Sequence, residues 1–383
     1  MLNKIPKPVI LLGFVSLFTD IASEMLYPVT PIFLTVVLGS SMAVVGLIEG
    51  VAELTAGFLK GYAGNLSDKL RKRSIFVVIG YSISALSKPF PGIFPAIGIV
   101  AASRATDRIG KGIRTAPRDA LLASYTSKNT GAIFGFHRGM DTLGAAIGPL
   151  LALLLLSIYP DNYQLIFLIA FIPSLIAVSL TFTVKDNVIV KNKNDKKNFL
   201  LFFKESPRTF KQIILLLALF ALVNSSDVFL ILKSREITNS ASLAIIGYVF
   251  YNLVYAFASY PIGKVSDKLG KKKILIAGFI IYSFVYFGFA LANNLTIIFL
   301  SFAFYGIYAA STEGIAKAWV SDLIPDENRG TAIGILTMTT SIAIMLGSFL
   351  AGILWDKFGS AVPFFFSSAV SILVALIFTF IKE

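Results

Sequence analysis

Gly61-Tyr-Ala-Gly-Asn-Leu-Ser-Asp-Lys-Leu-Arg-Lys-Arg73 decides how this chain is read, because it returns as Pro261-Ile-Gly-Lys-Val-Ser-Asp-Lys-Leu-Gly-Lys-Lys-Lys273. Asp68 and Asp267 stand 199 residues apart, and the same offset carries Gly131 onto Gly330, Gly135 onto Gly334, Gly148 onto Gly347 and Ala152 onto Ala351. One constant spacing through polar and apolar segments alike means two copies of one half. Each copy is a short basic loop between two long apolar stretches.

Composition agrees. Of 383 residues, 56% are hydrophobic and only 14% charged, against about 25% charged in a soluble domain. The apolar residues gather in runs of about 20, the length that crosses roughly 30 Å of hydrocarbon. The chain therefore reads as a polytopic membrane protein. Its net charge of +13 does not require nucleic acid, because the basic residues fill alternate loops. Lys69, Arg71, Lys72 and Arg73 fill one. Lys185, Lys191, Lys193, Lys196, Lys197, Lys204, Arg208 and Lys211 fill or flank the central one, and Lys268 with Lys271 to Lys273 a third. The loops between them, such as Tyr159 to Asn162 and Asn293-Asn294, hold almost none. That alternation places both termini in the cytoplasm and makes anionic lipid headgroups the partners of the basic loops. Lys4 and Lys7 ahead of an apolar run imitate a signal peptide. The run continues to about Leu38 without a small-residue cleavage site, so it is expected to be the first span. With no cysteine, neither disulfides nor thiolate metal sites form.

Spans are expected near 9–34, 42–60, 74–90, 95–122, 132–157 and 163–183, then near 212–232, 241–260, 274–292, 295–322, 331–354 and 361–381. This divides the chain into an N-terminal six-helix half (1–184), a cytoplasmic linker (185–210) and a C-terminal six-helix half (211–383). The apolar patch Phe199 to Phe203 in the linker is expected to form a short interfacial helix.

The Gly-x-x-x-Asp pattern followed by a basic cluster resembles the signature of the major facilitator superfamily, in the loop joining helices 2 and 3. Gly263, Asp267, Gly270 and Lys271 to Lys273 match it, while Arg71 replaces the usual glycine in the first copy. The resemblance implies an all-α fold of twelve transmembrane helices in two six-helix halves, related by a pseudo-two-fold axis along the membrane normal. It also implies a substrate held near the midplane. Two shorter resemblances follow. Arg104 and Gly110 match a helix-4 motif whose arginine is linked to proton transfer, with Asp107 and Arg108 replacing its glutamine and a glycine. Gly144-Ala-Ala-Ile-Gly148-Pro149 and Ala152 partly match the helix-5 motif of antiporters, and small residues there also permit close helix packing.

Ionisable residues inside spans are costly and so mark candidate sites. Asp20 and Glu24 lie four apart on one face of span 1, and Glu49 and Glu53 do so on span 2. Arg104, Asp107, Arg108, Lys111, Arg114 and Arg118 draw one charged stripe down span 4, and span 5 adds His137, Arg138 and Asp141. Counting from the cytoplasmic ends puts Asp20 at the depth of Arg108 and Lys111, and Glu24 at that of Arg104 and Asp107. These five residues, Asp20, Glu24, Arg104, Asp107 and Arg108, are the expected proton-coupling group. Glu49, Glu53 and Asp141 serve equally well as charges that only lock helices together. The second half has few such charges, so Asn224, Asp227, Tyr305, Tyr308 and Glu313 are its expected substrate contacts. Asp68 and Asp267 are expected to seat against the helix starts near Gly330 and Gly131 as a cytoplasmic gate, with Arg118 and Lys317 as side-chain partners.

Enzyme readings fail. Gly110-Lys-Gly112 lacks the spacing of a phosphate loop, His137 is the only histidine, and no Gly-x-Ser-x-Gly occurs. No cofactor is expected. The sequence reads as a monomeric inner-membrane antiporter that exports a small amphiphilic organic molecule against protons. A metal-cation transporter using the span carboxylates, and an uncoupled lipid translocator or sensor, are the competing readings.

Overall fold

Hydrocarbon offers no partner to a backbone N–H or C=O, so an apolar chain crosses it as helix. The computed structural model describes residues 5–27, 29–40, 42–126, 129–186 and 199–380, and among these no strand occurs. In the first half the helices are α1 (Lys7–Leu26), α2 (Val29–Ile32), α3 (Met42–Leu70), α4 (Arg73–Ser87), α5 (Phe90–Ile93), α6 (Ile97–Ser124), α7 (Thr130–Ile158) and α8 (Tyr163–Thr181). The linker holds α9 (Phe199–Glu205). The second half has α10 (Arg208–Ala221), α11 (Val228–Thr238), α12 (Ala241–Leu269), α13 (Lys271–Leu291), α14 (Leu295–Leu323), α15 (Arg329–Phe358) and α16 (Val362–Thr379). Counting α1 with α2, α4 with α5, and α10 with α11 gives twelve long segments in two halves.

Among the described residues seven helices are apolar and long enough to cross a bilayer by themselves: α1, α7, α8, α13, α14, α15 and α16. The helix α6 is not among them, since its charged stripe removes the apolar window. The short α9 covers the apolar linker patch, while linker residues 187–198 and the side chains of Glu49 and Glu53 lie outside the described residues.

Three expectations change. The signature stretch is not a loop: α3 continues through it to Leu70, and α12 continues to Leu269. Each turn is then a single tight reversal, at Arg71 with φ 55° and at Gly270 with φ 94°. The glycine of the motif is thus explained by a positive φ that L residues rarely adopt, and Arg71 takes the same sign of φ without that freedom. Span 7 is not continuous either. It breaks between Ala221 and Val228, across the polar run Asn224, Ser225, Ser226 and Asp227, residue types of low helix propensity. The exposed backbone groups are met inside the protein: Tyr282 donates to the Val223 carbonyl at 2.7 Å, and the Ser226 N–H donates to Ser348 Oγ at 3.0 Å. Span 1 likewise ends its α-helix at Leu26, short of the expected Leu34, and passes through α2 into a π-turn over Phe33–Val37.

The chain forms two compact units. The first contains Met1–Ser127, Met140–Lys196 and Ile324–Met338; the second contains Lys128–Gly139, Lys197–Leu323 and Thr339–Glu383. Each unit thus holds a short segment from the other half of the sequence, and both segments begin the helices that follow the 199-residue repeat, α15 and α7. In the first unit, Met25, Phe33, Val100, Ile166, Phe167 and Ala170 form an apolar core. In the second, Phe220, Phe279, Tyr282 and Phe378 pack in tilted and edge-on pairs at ring separations of 4.4 to 5.2 Å.

The two reversals generate a paired prediction. Gly270→Ala forces a side chain into positive φ and is expected to cost about 1–2 kcal/mol. Arg71→Gly relieves that strain but loosens the unfolded chain, so stability should stay within about 0.5 kcal/mol of the parent. Thermal unfolding in detergent measures both, and an equal loss in the two variants contradicts the backbone explanation.

Candidate functional site

The two signature aspartates do the same job in separate units. In the first, Asp68 Oδ2 accepts the Thr331 N–H at 2.6 Å and the Thr331 hydroxyl at 2.9 Å, and Oδ1 accepts the Gly330 N–H at 3.3 Å. In the second, Asp267 accepts the Gly131 N–H at 2.9 Å and the Ala132 N–H at 2.8 Å. The first N–H groups of a helix have no partner within it and carry partial positive charge, which a carboxylate satisfies. Each aspartate therefore caps the helix start assigned to it from the sequence. The signature glycines make the approach possible: a Cβ on Gly64 would stand 2.2 Å from the Gly330 carbonyl oxygen, and one on Gly263 would stand 2.2 Å from that of Gly131.

The cations around these caps differ from expectation. Arg73, only 1% exposed, bonds Asp68 at 3.0 Å and reaches Asp326 at 3.2 Å, while Arg329 bonds Asp326 at 2.9 Å. Arg118 turns instead to Asp119, through two bonds of 2.9 Å, and to the Tyr81 hydroxyl at 3.4 Å. Beside Asp267 the cation is Lys271 at 3.1 Å, which also binds Asp322 at 2.7 Å. Lys317 is half-buried on α14, its carbonyl accepting the Ser321 hydroxyl at 2.7 Å.

The charged stripe of α6 lies in the interior of the first unit, where α6 packs against α3 and α4. Asp107 is buried and bonded to Lys88 Nζ at 2.8 Å and to the Ser84 hydroxyl; Lys88 also reaches Ser23 Oγ at 3.1 Å. A cavity beside this pair is lined by Ser23, Ser103, Arg104 and Phe167. Asp107, expected at the depth of Glu24, thus faces a lysine instead. Lys88 was not among the candidates, because a lysine before Pro89 reads as the end of a span. Its place inside a stretch expected to cross the bilayer is the signal that could have found it. Arg114 lies over the ring of Tyr81 at 4.2 Å.

Asp20 and Glu24 are half-buried on α1. The charges acting on Glu24 are those of Lys111, Arg108, Arg104 and Asp141. Asp20 has a different neighbour: Asp141 stands beside it, with Lys111 and Glu24 nearby. Ser16 donates to Asp141. Sequence reasoning gave Asp141 equal weight as a site residue and as a helix-locking charge, and it is the carboxylate beside Asp20. Glycines set the contact, since a Cβ on Gly144 would meet the Leu17 carbonyl at 2.5 Å and one on Gly148 the Ile21 carbonyl at 2.7 Å.

In the second unit the candidates gather around the broken span. Tyr305 donates to Asp227 Oδ1 at 2.7 Å, and Tyr305 and Tyr308 are 5.2 Å apart, both buried. Glu313 pairs with Arg138, which bonds the Tyr255 hydroxyl at 2.5 Å. Arg138 and Asp141, adjacent turns of one helix, therefore serve different units. Asn224 Oδ1 is buried and accepts no hydrogen bond.

The sequence profile of the Major Facilitator Superfamily matches residues 12–238 and 228–383. An uncharacterized MFS-type transporter of Methanocaldococcus jannaschii is 37% identical over 386 residues, covering 99% of this chain and 96% of that protein. Multidrug resistance protein 2 of Bacillus subtilis is 30% identical over 125 residues, which cover 32% of this chain and 30% of that protein. In fold, the crystal structure of the human organic anion transporter MFSD10 superposes with a TM-score of 0.81 at 15% identity, over 97% of this chain and 100% of that one.

Lys88 and Asp107 generate a double-mutant test. Lys88→Met leaves a buried carboxylate unpaired, and breaking such a pair costs about 3–5 kcal/mol. Adding Asp107→Leu removes the stranded charge and should restore most of the lost thermal stability. A double variant no more stable than Lys88→Met alone would show that the pair is not what Lys88 contributes.

Proposed function

Because the chain belongs to the major facilitator superfamily, we propose that it exports a small amphiphilic organic molecule in exchange for protons by alternating access. It is a multi-pass membrane transporter and not an enzyme. The proposal places it in the inner membrane as a monomer, with both termini and the basic loops on the cytoplasmic side, against anionic headgroups.

The arrangement that carries the coupling is Asp20 beside Asp141 where α1 meets α7: Ser16, one turn before Asp20, donates to Asp141, and a Cβ on Gly144 would stand 3.1 Å from that of Asp20. Two carboxyl groups hydrogen-bond only while one of them holds a proton. When that proton leaves, two like charges stand against each other, at the place where glycines let α1 lie closest to α7. Lys111, and through Glu24 also Arg108 and Arg104, then become the counter-charges. Protonation thereby changes how α1 is held, and each shift of about 1.4 kcal/mol between two conformations changes their ratio tenfold. Similarity to Multidrug resistance protein 2 supports export of a drug-like compound.

Proteoliposomes with an imposed pH gradient test the coupling, with ethidium as the transported probe. Asp20→Asn and Asp141→Asn should each abolish the response to the gradient and leave downhill exchange within about threefold of the parent. Glu24→Gln should be milder, and Arg104→Ala at least as damaging as Asp20→Asn. A full gradient response in both Asp20→Asn and Asp141→Asn would move the coupling site elsewhere.

The aspartate caps are proposed to hold the cytoplasmic side closed. Asp68→Asn removes the charge that four donors converge on and should open the inside, raising labelling of cysteines introduced near Gly64 and Thr331 while slowing turnover. Asp267→Asn should act in the same direction but less strongly, because Lys271 and Asp322 at 12% and 35% side-chain exposure are better solvated than Arg73. Labelling rates identical to the parent in both variants would exclude the gate.

A further inference from the structure

The break in span 7 puts a carboxylate among tyrosines. Asp227 stands just before α11 and is half-buried; Tyr305 bonds it at 2.7 Å, and Tyr251 stands beside it. The rings of Tyr251 and Tyr305 are 4.8 Å apart, with Tyr255 at 6.1 Å from Tyr251 and Tyr286 at 6.3 Å from Tyr305. Among the described residues Asp227 has no ion-pair partner: Arg138 acts on it only from a distance, its guanidinium being held by Glu313 and Tyr255. Hydroxyl donors stabilise a carboxylate without cancelling its charge, so an ionised Asp227 would present an uncompensated negative charge beside these rings.

Three features define what such a wall binds. A tyrosine face attracts a cation within about 6 Å of its centroid, and the cluster already holds one this way, since Arg138 lies 5.5 Å from the centre of the Tyr255 ring. A lone carboxylate in a poorly solvated setting favours a weakly hydrated monovalent cation, whose desolvation costs less than that of a compact ion. The rings around it match an apolar body. The unwound segment adds one more acceptor, the buried Asn224 Oδ1 that receives no hydrogen bond. An anionic ligand meets repulsion here, and a sugar leaves the ring faces and the charge unused.

We propose that Asp227, with Tyr251 and Tyr305, binds a monovalent organic cation: an ammonium group carried on an apolar body. This rests on the reading of the chain as a transporter of small organic molecules and names the charge of its cargo. Tyr308 and Glu313 then take supporting places, Tyr308 by packing on Tyr305 and Glu313 by holding Arg138 away from Asp227.

The test is binding to the purified full-length chain in detergent, without membrane or pH gradient, so that its outcome is independent of proton coupling. Benzyltrimethylammonium, benzyl alcohol and benzenesulfonate share one ring and differ in charge. Calorimetry should show saturable binding of the ammonium compound and at least tenfold weaker binding of the other two. Asp227→Asn should weaken the ammonium compound at least tenfold, Asp227→Glu less, and Tyr305→Phe, which keeps the ring and loses the hydroxyl, by a few-fold. Thermal unfolding and gel filtration confirm that the variants are folded; Tyr305→Phe remains informative if Asp227→Asn is not. Absence of saturable binding, equal binding of benzenesulfonate, or unchanged binding in Asp227→Asn would overturn the proposal. Failure of the pH-gradient experiment at Asp20 and Asp141 would instead remove the coupling and leave this site standing.

Discussion

An ionised side chain at the centre of a membrane helix costs about 2.5–3.5 kcal/mol even when the bilayer adapts around it, and the arrangement of this protein follows from where that cost is cancelled. The helix α6 carries more charge than any bilayer-facing segment tolerates. It is stable only in the interior of the first unit, where Lys88 meets Asp107, Arg118 meets Asp119 and Arg114 covers the ring of Tyr81. Such pairs are not primarily a source of stability, because desolvation consumes most of their attraction. They fix which helices must be neighbours. The packing of α6 against α3 and α4 is what places Arg104, Arg108 and Lys111 opposite the acidic face of α1.

The same rule governs the backbone. A helix interrupted at membrane depth leaves N–H and C=O groups that only protein can satisfy. At the break in span 7, Tyr282 and Ser348 supply those bonds, and Gly347 lets α15 reach the exposed Leu222 carbonyl. An unwound segment with its backbone satisfied frees Asp227 and Asn224 to present side chains that a continuous helix would hold in register. The site of the proposed cation and the site of the proposed proton are both consequences of polar groups placed where partners are scarce.

Duplication shows which features geometry demands twice. Both units seat an aspartate on the first N–H groups of a helix, place a glycine where that helix crosses, and reverse the chain with one residue of positive φ. The chemistry around these points differs: Arg73 is sealed, Lys271 is more open, and Arg71 stands where the second copy has Gly270. Away from the caps the interiors share little. One is a network of opposite charges, the other a ladder of tyrosines. A helix start always needs a cap, whereas the interior answers only to what it must bind.

Repeats, hydropathy and alternating basic loops were sufficient for the twelve segments, the two halves and the membrane, because each rests on local composition that survives any packing. The positions of the two caps were legible for the same reason: the 199-residue offset ties Gly131 to Gly330, and a carboxylate beside a helix start needs no long-range information. What tertiary structure alone decided is which charge meets which. Depth along a helix can be counted from sequence, but azimuth cannot be known between two helices whose crossing is set by Gly144 and Gly148. So Asp20 found Asp141 instead of an arginine, Asp107 found Lys88 rather than the neighbourhood of Glu24, and Arg118 left Asp68 to Arg73. The break at Asn224 to Asp227 also needed the structure, because a polar tetrapeptide unwinds a helix only where neighbours such as Tyr282 and Ser348 stand ready to take its hydrogen bonds.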